Sequence, residues 1–349
     1  MEFFDNIFVI AAQWIRDTLA TLGFTSIWIE MSMGVVYLVC ILGICTLAAL
    51  FYVLYERKLA GYIQYRPGPN RLGPHGWFQT VADAIKLLTK EDVVPANADK
   101  AIHLLAPLFI FVPTVLALAV IPFGKGMAAL DLNLGIFYLI AVTSLSTIPI
   151  FMAGWGSNNK YSLLGSMRAV AQMVSYEVPL VFSLLGVVMI AQTLQLQGIV
   201  EAQSKIWFIF LQPLGFIIYI IAAIAETNRA PFDLPEGESE LTAGVYTEYS
   251  GMKWALFFLA EYCNLFIVSA VGTTMFLGGW HGPFLPGWAW FLIKTHLLFS
   301  FFIWVRWTFP RIRVDQLMSF GWKVLVPAAL ANLFLTGIGI YIFNNGLGW

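Results

Sequence analysis

The chain has 349 residues, 59% hydrophobic and 11% charged, with a formal net charge of −1. An average soluble domain is about one quarter charged, so a water-soluble fold of this size cannot hide so much apolar surface. The charges are also unevenly placed: the stretches 31–55, 101–124, 132–159, 206–225 and 324–349 contain none. Each is long enough to cross a hydrocarbon core that needs about 20 residues.

In chain order, the first apolar run, Ile7 to Ile15, is short, and its flanks Glu2 and Asp5 are acidic where a signal peptide carries lysine or arginine. It is expected to be an interfacial helix in an N-terminal segment, 1–29. Three further spans carry isolated charges: about 171–193 after Glu177, 253–279 through Glu261, and 288–308 through Lys294 and Arg306. The expectation is an all-α, polytopic transmembrane helical bundle of about eight spans, forming a single membrane domain over 1–349. The loops 56–100, 154–170, 227–252 and 309–322 then share one side. With the adjoining helix ends they hold every Lys and Arg except Arg16, Lys125, Lys205 and Lys294, which is 15 of 19. The positive-inside rule places that side in the cytoplasm, with both termini periplasmic.

The first cytoplasmic loop opens with Glu56-Arg57-Lys58 and runs through Arg66-Pro67-Gly68-Pro69-Asn70-Arg71. Prolines and glycines at that density stop a helix and build a fixed turn. Beyond it, Trp77, Val81, Ala84, Ile85 and Leu88 recur at helical spacing, with Gln79, Asp83, Lys86 and Lys90 on the other side. This predicts an amphipathic helix at the membrane surface. Such faces suit a plain surface helix and a helix that docks a partner or lines a ligand site equally well.

Glu177 and Glu261 each lie about eight residues inside a span, roughly 12 Å deep. A charge at that depth costs a few kcal/mol, so both should face the bundle interior or a water-filled cavity. Either they exchange protons along a path, or they are held by structural ion pairs to Arg168 or Lys253. Pro179 frees a backbone carbonyl beside Glu177, where water can bind. Lys294, about six residues from the periplasmic end, is near enough to it to snorkel outward, so no function is assigned to it. The loop 227–252, with the helix end before it, sets Glu226, Asp233, Glu236, Glu238, Glu240 and Glu248 against the internal Arg229. Pro231 and Pro235 bracket Asp233 beside Phe232 and Leu234, so part of this acidic loop should be packed. Cys40, Cys45 and Cys263 lack the spacing that clamps zinc or an iron-sulfur cluster, and the four histidines are scattered, so no metal centre is expected.

Several of these segments carry a resemblance: Glu56-Arg57-Lys58 with Arg66-Pro67-Gly68-Pro69-Asn70, Ala82 to Leu87, Ser175-Tyr176-Glu177-Val178, Ala225 to Glu240, Ala260-Glu261-Tyr262 and Pro310 to Gln316. In this order, from about residue 50 to 330, the chain resembles the family of the membrane-embedded H subunit of bacterial NADH:quinone oxidoreductase, counterpart of subunit 1 of mitochondrial respiratory complex I. Pro67 departs from it, standing where many relatives have a basic residue. The resemblance implies a multi-pass inner-membrane subunit that forms part of the quinone chamber, with its cytoplasmic loops docked on the peripheral arm and membrane-arm subunits beside it. It implies quinone as substrate, no cofactor in this chain, FMN, iron-sulfur clusters and NADH in partner subunits, and no nucleic acid. Glu56, Arg57, Arg66, Asp83, Arg229, Asp233 and Arg306 would line or frame the quinone passage, with Phe258 and Tyr262 in contact. Glu177, Glu226, Glu236, Glu238, Glu240 and Glu261 would be the proton-relay acids. A related membrane subunit of an energy-converting hydrogenase or complex-I-like dehydrogenase is the alternative assembly. A standalone transporter is disfavoured, since no internal repeat is visible and such carriers usually show two related halves.

Overall fold

A computed structural model describes residues 7–346 apart from 236, with the side chains of 8–343 apart from 236, 238 and 239. The described residues form helices and no strand. Helix α1 is Ile7–Thr21, longer than the expected run, and α2 follows at Ser26–Ile63, starting inside the segment expected to be interfacial. The two are tied by an ion pair, Arg16 Nη2 to Glu30 Oε1 at 2.7 Å. The surface helix α3 is Gln79–Thr89. Asp83 turns toward the bundle, while Val81, Ile85 and Leu88 are exposed on its outward face. That is the orientation an amphipathic helix takes when its apolar side meets lipid or another chain.

The spans continue with α4 (Lys100–Leu118), α5 (Gly135–Ser144) running into α6 (Thr147–Gly156), and α7 (Lys160–Ala191). Next come α8 (Pro213–Glu226), α9 (Gly251–Phe276) and α10 (Gly287–Thr308). The chain closes with α11 (Val314–Phe320), which passes through a wider turn into α12 (Val326–Gly346). Asp99 caps α4 by accepting from the amides of Ala101 and Ile102, and Asn159 caps α7 by accepting from Tyr161. These satisfy amides that a helix start otherwise leaves open. Seven helical segments are long and apolar enough to cross a membrane, counting α5 with α6 and α11 with α12 as one each.

The expected span 206–225 is the exception. It forms a single turn, Phe208–Leu211, breaks at Gln212 and resumes as the 14-residue α8, about 21 Å long. Pro213 begins the second piece because its ring cannot continue the first. Irregular backbone at membrane depth survives only inside protein, and here the Gln212 side chain ties the break to α7 and α12. Its amide donates to Thr336 Oγ1 at 2.6 Å and to the Gly186 carbonyl at 3.3 Å, and its carbonyl accepts from Asn332 at 3.0 Å. Gly186 leaves room for this network, since a Cβ there would lie 2.6 Å from Gln212 Oε1 and displace the side chain.

Helix α9 is the hub, packed against α2, α4, α8 and α10 with Phe257, Cys263, Phe266, Ala270 and Phe276 buried. Loop contacts divide the molecule into two faces. On one, Lys253 pairs with Asp92, Asn159 bonds Glu248, Asp99 bonds Gly156, and Ile312 bonds Pro231. On the other, Ile136 bonds Leu194, and Gln203 bonds Thr274 and Gly278. The four charge-rich loops therefore meet on one side, as the eight-pass reading requires.

Candidate functional site

Four distant parts of the chain bring charge to one point beneath the loop face. Glu56 comes from α2, Arg229 from the loop after α8, Glu261 and Tyr262 from α9, and Arg306 from the last turn of α10. Arg229 Nη1 donates to Glu56 Oε2 at 3.0 Å, and Arg229 Nε lies 2.7 Å from Glu261 Oε1. Arg306 Nη1 reaches Glu56 Oε1 at 2.5 Å, and the Tyr262 hydroxyl donates to Glu56 Oε2 at 2.7 Å. The Arg229 guanidinium also lies 4.3 Å over the Tyr262 ring, a cation–π contact. Arg229 is 3% exposed and Glu56 4%. Burial works against charge on Arg229, but Glu261 and Glu56 outweigh it and hold the guanidinium well above its usual pKa. Two arginines and two glutamates balance, which is how a low-dielectric site tolerates four charges.

Balance does not mean saturation. Arg229 Nη2 and one oxygen of Glu226, both buried, have no hydrogen-bond partner among the described residues. Glu226 and Glu261 line a cavity of about 30 Å³ together with Ser146, Thr227, Asn228 and Asn264. A polar space of that size holds one or two waters. Glu226 interacts electrostatically with Glu177, whose Oε1 accepts from the hydroxyl of Ser144 at the break between α5 and α6. The result is a track of charged and ionisable groups from Arg306 and Glu56 through Arg229, Glu261 and the cavity to Glu226 and Glu177.

Arg229 is positioned by a residue the sequence did not flag. Gln172 of α7 is fully buried, and its amide donates to the carbonyls of Ala225 at 2.6 Å and Phe232 at 2.8 Å and to Asn228 Oδ1 at 3.3 Å. Asn228 takes a left-handed conformation, φ 53°, which turns the chain out of α8 so that Arg229 points back into the bundle. Gln172 and Asn264 were visible in the sequence only as amides inside apolar spans, whereas Ser144 and Ser146 gave no signal.

The other expected residues distribute as follows. Arg57 pairs with Asp83 at 2.5 Å, which fixes the surface helix α3 to α2 beside Glu56. Phe258 is half-buried between Trp254 and Tyr262, with ring centroids at 5.0 and 4.8 Å. Asp233 is half-buried in the loop. Arg66 is exposed and bonds Gln64, outside the charge cluster. Glu240 is exposed and pairs with Arg168, which holds its carboxyl below the usual range. Glu236 and the side chain of Glu238 lie outside the described residues. The structural partners considered for the deep glutamates are engaged elsewhere: Arg168 with Glu240 and Lys253 with Asp92. Lys294 does not take the outward course open to it. It is 5% exposed, and its ammonium donates to the carbonyls of Leu277, Gly279 and His281 at 2.8, 3.0 and 2.6 Å. A ready set of acceptors at the end of α9 makes burial cheaper than snorkelling. Among the described residues no group of His, Cys, Asp and Glu has the geometry of a metal site.

A family model described as NADH dehydrogenase matches residues 35–337. The H subunit of NADH-quinone oxidoreductase from Carboxydothermus hydrogenoformans is 52% identical over 344 residues, 97% of this chain and 98% of that relative. Its counterpart from Dehalococcoides mccartyi is 56% identical over 315 residues, 90% and 88% of the two chains. That of Anoxybacillus flavithermus is 50% identical over 329 residues, 93% and 98%. With half or more of all positions identical along nearly the whole length, the chain belongs to the family of NADH-quinone oxidoreductase H subunits.

Proposed function

We propose that this chain is the membrane subunit of a proton-translocating NADH:quinone oxidoreductase that forms part of the quinone chamber and couples quinone reduction to proton movement. The observation that carries this reading is the charge-balanced Glu56–Arg229–Glu261–Arg306 cluster, buried at Glu56 and Arg229 and half-buried at Glu261 and Arg306, which opens onto the small polar cavity holding Glu226. Reducing a quinone to a quinol takes up two electrons and two protons. In a low-dielectric chamber each change of charge acts on neighbouring ionisable groups several-fold more strongly than in water. When quinone chemistry perturbs Glu56 or Arg306, Arg229 redistributes between Glu56 and Glu261. Glu261, Glu226 and Glu177 then respond as coupled sites and exchange protons through the cavity.

Arg57 and Asp83 frame the passage at the surface helix, Phe258 and Tyr262 give it aromatic walls, and Arg66 and Asp233 belong to its rim. Glu236, Glu238 and Glu240 continue the relay into the acidic loop. This chain binds no cofactor of its own. The flavin and iron-sulfur clusters sit in partner subunits, the loop face docks on the peripheral arm, and neighbouring membrane subunits receive the coupling signal. By the positive-inside rule the loop face is cytoplasmic and both termini periplasmic, in the bacterial inner membrane.

The test is Arg306→Ala in the intact complex. Quinone turnover is expected to fall while NADH oxidation by a hydrophilic artificial acceptor stays normal. Equal loss of both activities in an assembled complex would remove the passage assignment.

A further inference from the structure

A second buried titratable group lies outside this track. His103, in the first turn of α4, is 0% exposed, and neither ring nitrogen has a hydrogen-bond partner among the described residues. Its ring stacks on Tyr249 at 4.2 Å with 6° between planes, and the buried Tyr249 hydroxyl is equally unpartnered. Three buried polar atoms without a close hydrogen bond, held only by looser contacts of the ring with the Glu248 backbone and of the hydroxyl with Ser157, call for an explanation in water or in function.

The surroundings supply both. The ring faces the Glu248 backbone and feels the charges of Lys253, Asp92 and Glu248, while the Tyr249 hydroxyl faces Ser157. Asp99, capping the same helix, lies one turn nearer the loops. These groups come from α9, the loop before α4, the acidic loop and the end of α6, and they join the pair to the loop face. Toward the membrane interior, His103, Ala106 and Ile110 follow one face of α4, and Ile110 lines the cavity that holds Glu226 and Glu261. Seven residues of helix put the histidine about 10 Å from that level. The Phe257 ring lies between, 4.9 Å from Tyr249 on one side and lining the cavity on the other.

We propose that His103, paired with Tyr249, is a proton-input group that carries protons from the loop face to the Glu226–Glu261 cavity, separately from the quinone cluster. The proposal rests on the relay reading given above. A neutral imidazole accepts a proton at one nitrogen and releases one from the other, so only N–H and O–H bonds change and no redox partner is needed. The Tyr249 hydroxyl and cavity water complete the transfer when Phe257 moves. Quinone reduction draws protons through one branch, and the cavity is recharged through the other.

The experiment compares His103→Phe, which keeps the stacked ring but loses both nitrogens, with Tyr249→Phe and Glu226→Gln, each in the whole complex in membrane vesicles. Subunit abundance, artificial-acceptor activity, coupled quinone reduction, its pH profile and its slowing in heavy water are measured together. His103→Phe is expected to assemble, to keep artificial-acceptor activity, and to lose about a hundredfold in coupled turnover, the low end for a positioned proton carrier. The loss should be steepest at alkaline pH, where protons are scarce, with a larger heavy-water effect; Tyr249→Phe should shift the profile the same way. Unchanged turnover, profile and isotope effect in assembled His103→Phe would overturn the proposal. If His103→Phe fails to assemble, an unchanged profile in Tyr249→Phe does so. Loss in Glu226→Gln without loss in His103→Phe removes this input alone, whereas no loss in either removes the relay itself. Loss in His103→Phe without loss in Glu226→Gln keeps the input and removes Glu226 from the relay.

Discussion

Arg229 and Lys294 are both almost fully buried cations, 3% and 5% exposed, near opposite faces of the same bundle. Lys294 is held by three backbone carbonyls and lies 4.5 Å from the centre of the Trp207 ring. Gly278 and Gly279, at φ 72° and 49°, turn the chain end so that those carbonyls converge. Carbonyls do not titrate, so the acceptor side of this contact is fixed and acts as a clamp. Arg229 is held by Glu56 and Glu261, both able to take up a proton, and one of its nitrogens has no acceptor among the described residues. Its partners can change charge while the arginine cannot. The difference between a fixed and an adjustable buried cation therefore lies in the acceptors.

The contrast predicts different responses to substitution. The largest effect is expected for Arg229→Ala, which removes a counter-charge from the buried Glu56 and the half-buried Glu261, at about 3–5 kcal/mol while they stay ionised. Because those acids can protonate, abundance of the assembled complex should recover partly in acidic medium, while quinone turnover should not. Immunoblotting and turnover in the same membranes check this, and pH-independent abundance would contradict it. Lys294→Met comes next. It leaves three carbonyls without a donor, each worth about 1–3 kcal/mol before relaxation. Abundance should fall at every pH, with normal turnover in whatever complex assembles.

A smaller structural effect and a clear functional one are expected for Glu177→Gln, since glutamine keeps the shape and the Ser144 contact but cannot titrate. Coupled turnover should drop at normal abundance, and Glu177→Asp should retain more of it than Glu177→Gln. The smallest effect belongs to Arg168→Ala. The Arg168–Glu240 pair is largely exposed and contributes at most about 1 kcal/mol. Arg168 lowers the folded-state pKa of Glu240, so this contribution is present above the unfolded value of about 4.3 and lost as pH falls through the folded one. Any difference in thermal stability between the original chain and Arg168→Ala should therefore shrink on acidification.

Much of the fold was legible because membrane spans are written in one dimension, as runs without charge. Depth was legible for the same reason, which is how Glu177 and Glu261 stood out. Direction around the helix axis was not. Whether Lys294 snorkels or turns inward depends on carbonyls of Leu277, Gly279 and His281, set by a turn whose geometry no periodicity reveals. The break at Gln212 was hidden inside an apolar run because its partners, Gly186, Asn332 and Thr336, lie on other helices. Likewise, the sequence marked Glu56, Arg229, Tyr262 and Arg306 one by one, through motifs. That they meet is a long-range fact, since Arg229 and Glu56 are 173 positions apart and Arg306 and Glu56 are 250 apart.

Glu261→Gln addresses the adjustable cluster most directly, because Glu261 touches Arg229 on one side and lines the cavity with Glu226 on the other. In vesicles containing the intact complex, subunit abundance, artificial-acceptor activity, quinone reduction and proton translocation are to be read from one preparation. Abundance and artificial-acceptor activity should stay near normal, while quinone reduction and proton translocation fall together by about tenfold or more. Normal translocation at normal abundance would contradict a role for this acid in coupling.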